Sequence, residues 1–344
     1  MAFVFQFPCD DKEANLLQYI LRRILLLIPT LLAIAVISFI VIQLPPGDYL
    51  SAYIAQLEST GTIVQESEIA ALKVRYGLNE PVYVQFLKWF WNVLHGDLGM
   101  SFHWNKPVNQ LIGERLLLTF VVSFSTLMLT WIIALPIGVY SATHQYSIGD
   151  YFFTMLSFIG RGIPDFMIAL ILMWIALSKF GVSAGGLFSL KFREAPWSLA
   201  KVADLLKHLW VPMLVLGLGG TAGLIRVMRA NLLDELHKPY VITARAKGLK
   251  EGRVLWKYPV RLALNPFIST VGFSLPGLIS GATIISVVLN LPTNGPLLLD
   301  ALMTQDMYLA GSFVLLLSIM TVIGTFISDL LLAWLDPRIR LGGS

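Results

Sequence analysis

Apolar residues in this chain are blocked into long runs separated by short polar stretches. Residues 24–44, 116–143 and 264–291 contain no Asp, Glu, Lys or Arg, and each run exceeds the roughly 20 residues a helix needs to cross a bilayer core. Residues 151–178, 209–228 and 309–335 are as apolar but carry one or two charges apiece: Arg161 with Asp165, Arg226, and Asp329. The pattern predicts an all-α polytopic membrane protein with six transmembrane helices, at 20–44, 116–142, 151–178, 209–228, 264–291 and 309–335. The strict alternation of a membrane β-barrel is absent.

Composition sharpens this reading. The chain is 56% hydrophobic and 13% charged, where soluble domains average about 45–50% and about 25%. A net charge of +4 is no argument for nucleic acid here, because in a membrane protein the position of Lys and Arg matters more than their sum. The main basic cluster is Arg226, Arg229, Lys238, Arg245, Lys247, Lys250, Arg253, Lys257 and Arg261, opposed only by Asp234, Glu235 and Glu251. That places the 229–262 loop in the cytoplasm. Arg22 and Arg23 before the first helix, and Arg338 with Arg340 after the last, put the 1–19 and 336–344 tails on the same side. Segments 45–115, 179–208 and 292–308 are then external. The turn from Thr143 to Asp150 has no Lys or Arg and casts no vote. Cys9, the single cysteine, reads as a plain cytoplasmic thiol, and the first run, followed by Pro45-Pro46-Gly47-Asp48, reads as a retained signal anchor.

The external 45–115 segment is patterned. Residues 66–77 read as a short amphipathic helix closed by Gly77, and the aromatics of 82–94 (Tyr83, Phe86, Trp89, Phe90, Trp91) read as a helix lying at headgroup level. Helix 4 carries Gly217, Gly219, Gly220 and Gly223, and helix 5 carries Gly272, Gly277 and Gly281, spacings that let backbones approach closely. Both helices are expected in the interior. Catalytic signatures are missing: no phosphate-binding loop, since no Gly precedes a Lys; five scattered histidines without metal-ligand spacing; no G-x-S-x-G. The chain is expected to be non-catalytic, with no metal or cofactor of its own.

The 226–266 loop is the informative segment. Helix formers run from Ala230 to Lys247, Gly248 interrupts, and a second short helix is expected over 251–258. Helix, glycine, helix makes a shaped cytoplasmic protrusion. The wording Tyr240-Val-Ile-Thr-Ala-Arg-Ala-Lys-Gly248-Leu, followed by Asn265-Pro266, resembles the coupling loop of the transmembrane permeases of ATP-binding-cassette importers, in their oligopeptide/dipeptide/nickel branch. Ile20-Leu-Arg-Arg-Ile24 with Pro29, Arg75-Tyr-Gly-Leu-Asn-Glu-Pro81, Gly96-Asp-Leu-Gly99, Pro164 with Phe166, and Leu335-Asp-Pro-Arg-Ile-Arg340 extend the resemblance along most of the chain.

The resemblance implies a type I importer permease that pairs with a homologous second permease in the bacterial or archaeal inner membrane. Two cytoplasmic ATPase subunits, holding ATP and Mg2+, dock inside, and a solute-binding protein docks outside. Tyr240, Thr243, Ala244, Arg245, Ala246, Lys247, Gly248, Lys250 and Arg253 would form the ATPase-coupling loop. Gly248 would permit the turn, the alanines close approach, and the basic residues charge complementarity. Ser286-Val-Val-Leu-Asn-Leu-Pro292-Thr-Asn-Gly295 departs from the branch's Glu, aromatic and Pro-Gly-x-Gly wording, so the implied solute is a peptide or an oligosaccharide. Intramembrane charge is costly and marks function by default. Arg161 and Asp165, expected one turn apart on a single helix, are therefore candidates for the substrate path. Asn294 and Asp306 of the outer loop join them. The rivals are a self-contained secondary transporter or channel, and a membrane-embedded enzyme.

Overall fold

A computed structural model describes residues 16–43, 80–101, 103–181, 185–269, 283–304 and 306–335. Helix α1 spans Leu16–Gln43 and α2 spans Val82–Leu94. A two-stranded antiparallel hairpin, β1 Met100–Ser101 with β2 Lys106–Pro107, leads directly into α3, Val108–Thr143. Then follow α4 (Ile148–Gly162), α5 (Asp165–Phe180) and the long α6 (Leu199–Leu236). A cluster of short helices follows: α7 (Pro239–Ala246), α8 (Glu251–Lys257) and α9 (Pro259–Ala263). Helices α10 (Thr283–Val288), α11 (Asn294–Met303) and α12 (Met307–Leu335) complete the chain.

Among the described residues three helices are long and apolar enough to cross a membrane: Val108–Thr143, Leu199–Leu236 and Tyr308–Leu332. A fourth span forms if Ile148–Gly162 and Asp165–Lys179, bent by 99°, count as one. The apolar part of α1 that the structure describes is Leu25–Ile40. Residues 270–282 of the fifth expected span, which include Gly272, Gly277 and Gly281, lie outside the described residues, as does the 66–77 helix.

The structure corrects three boundaries. The 151–178 run is not one helix: Gly162, Ile163 and Pro164 break it, because a residue before proline is driven out of the helical region and Ile163 sits at φ −93, ψ 128. The helix expected over 116–142 starts at Val108, and the one expected over 209–228 occupies 199–236. Consequently the stretch from Ala230 belongs to α6, which projects eight residues, about 12 Å, past the expected membrane boundary before His237 ends it.

The core is the α3–α6 contact. Gly138 of α3 lies so close to Met228 that an added Cβ would stand 2.6 Å from the methionine Cβ. Further out, Gly217 of α6 admits Thr130, whose Oγ1 would be 3.2 Å from such a Cβ. Ala134, Val139, Ile225, Met228 and Leu232 fill one half of this interface together with Val260, Ala263 and Phe267. Val122, Leu209, Val215, Ile285 and Leu289 fill the other half.

The external elements pack on these helices. Trp89 of α2 is buried against Phe39 of α1 at 5.6 Å between rings, while Tyr83, Leu87 and Trp91 stay exposed. One stripe of the aromatic helix, Trp89 flanked by the partly buried Phe86, Phe90 and Val93, therefore packs inward, a role its composition did not separate from interfacial anchoring. The connection before α6 folds back on it: Asp204 accepts from the Ser189 N–H at 2.8 Å, and the Lys201 ammonium sits between the Phe188 and Trp197 rings.

Gly138→Val is expected to force α3 and α6 apart and cost about 1–3 kcal/mol, read as a fall of several degrees in the detergent-solubilised unfolding midpoint. Gly113→Val, where nothing lies within 4 Å of the added Cβ, is the control and should shift it far less.

Candidate functional site

The loop expected to be cytoplasmic is built from local sequence rules. Pro239 occupies the first helical position of α7, where its missing N–H costs nothing. At the other end Gly248 adopts φ +75, a left-handed conformation glycine enters freely. The Leu249 N–H then reaches the Ala244 carbonyl at 3.4 Å and the Gly248 N–H reaches the Arg245 carbonyl at 2.9 Å. These two bonds define a Schellman motif, which satisfies carbonyls the helix end would otherwise orphan. Lys250 is the N-cap residue of α8.

Val241, Ala244 and Val254 form the small core of this unit, flanked by Tyr240, Leu249 and Tyr258. The Tyr240 hydroxyl donates to Glu235 at the end of α6. Arg245 Nε donates to both Glu251 oxygens, at 3.0 and 3.2 Å, clamping α7 to α8 across the glycine. Thr243 donates to the Pro239 carbonyl at 2.9 Å. Ala246, Lys247, Lys250 and Arg253 are exposed, and so are the apolar Ile242 (58%) and Trp256 (61%). Of the loop residues named from sequence, Ala244 and Tyr240 thus face inward, Arg245 is shared with Glu251, and the remainder are presented to solvent.

The candidates for the substrate path divide. Asp306 is fully buried: it precedes α12, accepts the Leu309 N–H at 3.2 Å as a helix cap, and also accepts the Ser101 hydroxyl at 2.5 Å and the His103 N–H. It ties the hairpin to α12 and lines no path in this structure. Asn294 is 1% exposed; its N–H donates to Thr119 Oγ1 at 2.9 Å, and its side-chain amide has no hydrogen-bond partner. It too is closed off.

Arg161 and Asp165 are exposed, but not on one helix. Arg161 lies in the last turn of α4 and Asp165 is the first residue of α5, so each charge complements the dipole of the helix end it occupies. No ion pair joins them among the described residues. Both lie along the glycines of α6: Arg161 Nη1 is 3.1 Å from where a Gly223 Cβ would stand, and Asp165 Oδ1 is 3.5 Å from the corresponding point at Gly219.

Sequence reasoning missed a bidentate ion pair between Asp150 and Arg229. Asp150, 2% exposed, receives a bidentate pair from Arg229, Nε at 2.8 Å and Nη2 at 2.7 Å. It also accepts the N–H of Tyr146, which sits at φ +63, and its own N–H donates to the Ser147 cap. The contact locks the α3–α4 turn to α6 about two turns before that helix ends at Leu236. Ser147 followed by Asp150 is a legible helix start, but Arg229 counts in sequence only as one of nine cytoplasmic basic residues.

Removing one partner of a buried ion pair strands the other charge. Asp150→Ala is expected to cost about 3–5 kcal/mol in solubilised unfolding. Asp150→Ala combined with Arg229→Met should recover part of the loss, and strict additivity of the two would show that the pair does not interact.

Comparison with known proteins agrees with this architecture. The family model for the inner membrane component of binding-protein-dependent transport systems matches residues 134–341, and the model for the N-terminal part of such components matches residues 16–123. The chain is 37% identical over 324 residues to the oligopeptide transport system permease protein AppB of Bacillus subtilis, covering 94% of this chain and 99% of that protein. It is 31% identical over 325 residues to the glutathione transport system permease protein GsiC of Salmonella paratyphi A, covering 94% and 99%. Identity to the nickel import system permease protein NikB of Staphylococcus aureus is 30% over 326 residues, covering 95% and 93%. The chain belongs to the family of binding-protein-dependent transport system inner membrane components, in the oligopeptide, dipeptide and nickel permease branch.

Proposed function

We propose that this chain spans the membrane six times, with both termini in the cytoplasm, and forms half of the translocation path of an ATP-driven importer. A homologous second permease supplies the other half. Two ATPase subunits, which hold ATP and Mg2+, engage α7 and α8 from inside, and a solute-binding protein delivers the solute from outside. The solute is a peptide: oligopeptide and glutathione in the relatives' names favour it over an oligosaccharide. On this reading the chain hydrolyses nothing itself.

The observation that carries the reading is the α7–Gly248–α8 unit. It is internally cored and capped, and it stands on the cytoplasmic extension of α6. It also leaves two large apolar side chains, Ile242 and Trp256, exposed, and the same segment exposes Lys247, Lys250 and Arg253. Exposed apolar side chains in a segment that also exposes charge suit a docking surface. Motion imposed on this unit reaches the membrane through the Tyr240 bond to Glu235 and through Arg229 to Asp150.

Gly248 separates coupling from mere presence of the loop. Gly248→Val places a β-branched residue at φ +75, where the conformation costs about 1–2 kcal/mol, and should weaken ATPase association about tenfold. Gly248→Asn, which tolerates the left-handed region, should retain most of it. Co-purification of ATPase subunits with the tagged chain, with solute-stimulated ATP hydrolysis, measures both. Equal retention by the two variants contradicts the docking role.

A further inference from the structure

The two faces of the α4–α6 packing differ in kind. One opens on an apolar crevice of about 450 Å³, bounded by α3, α4, α5 and α6 and lined by Ile133, Leu156, Ile159, Leu172, Leu218 and Ala222 among others. No charged residue lines it. The other carries Arg161, Asp165 and Arg226. Arg226 lies three residues beyond Gly223 on α6, its guanidinium 5.3 Å from the centre of the Phe158 ring, and its Nε is buried without a hydrogen-bond partner. Neither arginine forms an ion pair among the described residues, in contrast to Arg229 one turn away.

Depth along α6 decides what such a face meets. Arg229 marks the cytoplasmic boundary of the expected span. Gly223, under Arg161, is about 9 Å further in, and Gly219, beside Asp165, about 15 Å, roughly half the thickness of the hydrocarbon core. Lipid phosphates do not reside at that depth. A helix break there is tolerated only where its backbone is covered by protein or lines a watery cavity, and residues 161, 162, 164, 165 and 166 are exposed.

We propose that Arg226, Arg161 and Asp165 form a binding row for a zwitterionic solute in the translocation path. The two guanidiniums take a carboxylate, and Asp165 takes an ammonium group. From Gly219 to Arg226 is about 10 Å of helix, which an extended chain of two to four residues covers at about 3.3–3.6 Å each. The row therefore fits a short peptide with both ends free. This inference rests on the importer reading, and Arg226 is its addition to the candidates evident in sequence.

The test is equilibrium binding of radiolabelled Ala-Leu-Ala, its C-terminal amide and its N-acetyl form to the assembled transporter. The tagged chain is purified with its partner permease and ATPases in phosphatidylcholine nanodiscs. Wild type should prefer the unmodified tripeptide about tenfold or more over either derivative. Arg161→Gln combined with Arg226→Gln should abolish the preference over the amide alone, and Asp165→Asn the preference over the acetylated form alone.

The proposal is overturned if an assembled wild type binds none of the three or does not discriminate, or if the variants keep both preferences. Loss of the second permease from the double variant would assign the arginines to that subunit instead. Binding that falls as phosphatidylglycerol replaces phosphatidylcholine would assign them to lipid headgroups. Failure of wild type to bring down ATPases at all would sink the importer reading itself, a result distinguishable from every other.

Discussion

Everything in this structure hangs on how closely α3 and α6 approach. In lipid there is little hydrophobic drive between helices, so association depends on packing that small residues permit. Gly138 against Met228 and Gly217 against Thr130 bring the two backbones together at both ends of the contact. Once they are fixed, the α3–α4 turn has one place to go, and Asp150 fastens it there through Arg229. Helix α4 is thereby laid along α6, and Gly219 and Gly223 give Asp165 and Arg161 room to lie across it.

The same arrangement joins the α7–α8 unit to the break between α4 and α5. Helix α6 runs from Leu199 to Leu236 with Pro212 inside it. The buried Asp150 carboxylate lies on the flank of α6, at the start of a helix that ends in the break at Gly162, Ile163 and Pro164. The break is the one place among the described spans where the chain changes direction sharply, by 99°.

Much of this was legible in the sequence, and the failures share a cause. The uncharged runs marked the helices, and the aromatic stretch marked α2 at Val82–Leu94. Gly248 was legible as the residue that permits a turn between helical segments, and the structure gives it φ +75, a conformation glycine favours locally. Hydropathy did not reveal that Pro164 divides the third run, since both halves remain apolar and only backbone geometry separates them. It also placed the ends of α3 and α6 too far in, because helices continue past the membrane boundary wherever polar residues can still propagate them. Asp306 and Asn294 looked like solute ligands because outer-loop polar residues are usually exposed. The fold spends both internally, Asp306 as a cap for α12 and Asn294 at the start of α11. Asp150 with Arg229, separated by 79 positions, belongs to tertiary structure alone.

The most direct test of the central claim, that α7 and α8 form the surface through which ATP hydrolysis is coupled, is site-specific cross-linking in native membranes. Ile242→Cys in a Cys9→Ser background offers one thiol at an exposed position of α7. Leu199→Cys, 91% exposed at the opposite end of α6, serves as the comparison. A short bifunctional reagent should join position 242 to an ATPase subunit, with a yield that changes when ATP is supplied, and should leave position 199 unjoined to it. A transport-competent protein that gives no ATPase cross-link at 242, or the same yield at both positions, would contradict the account.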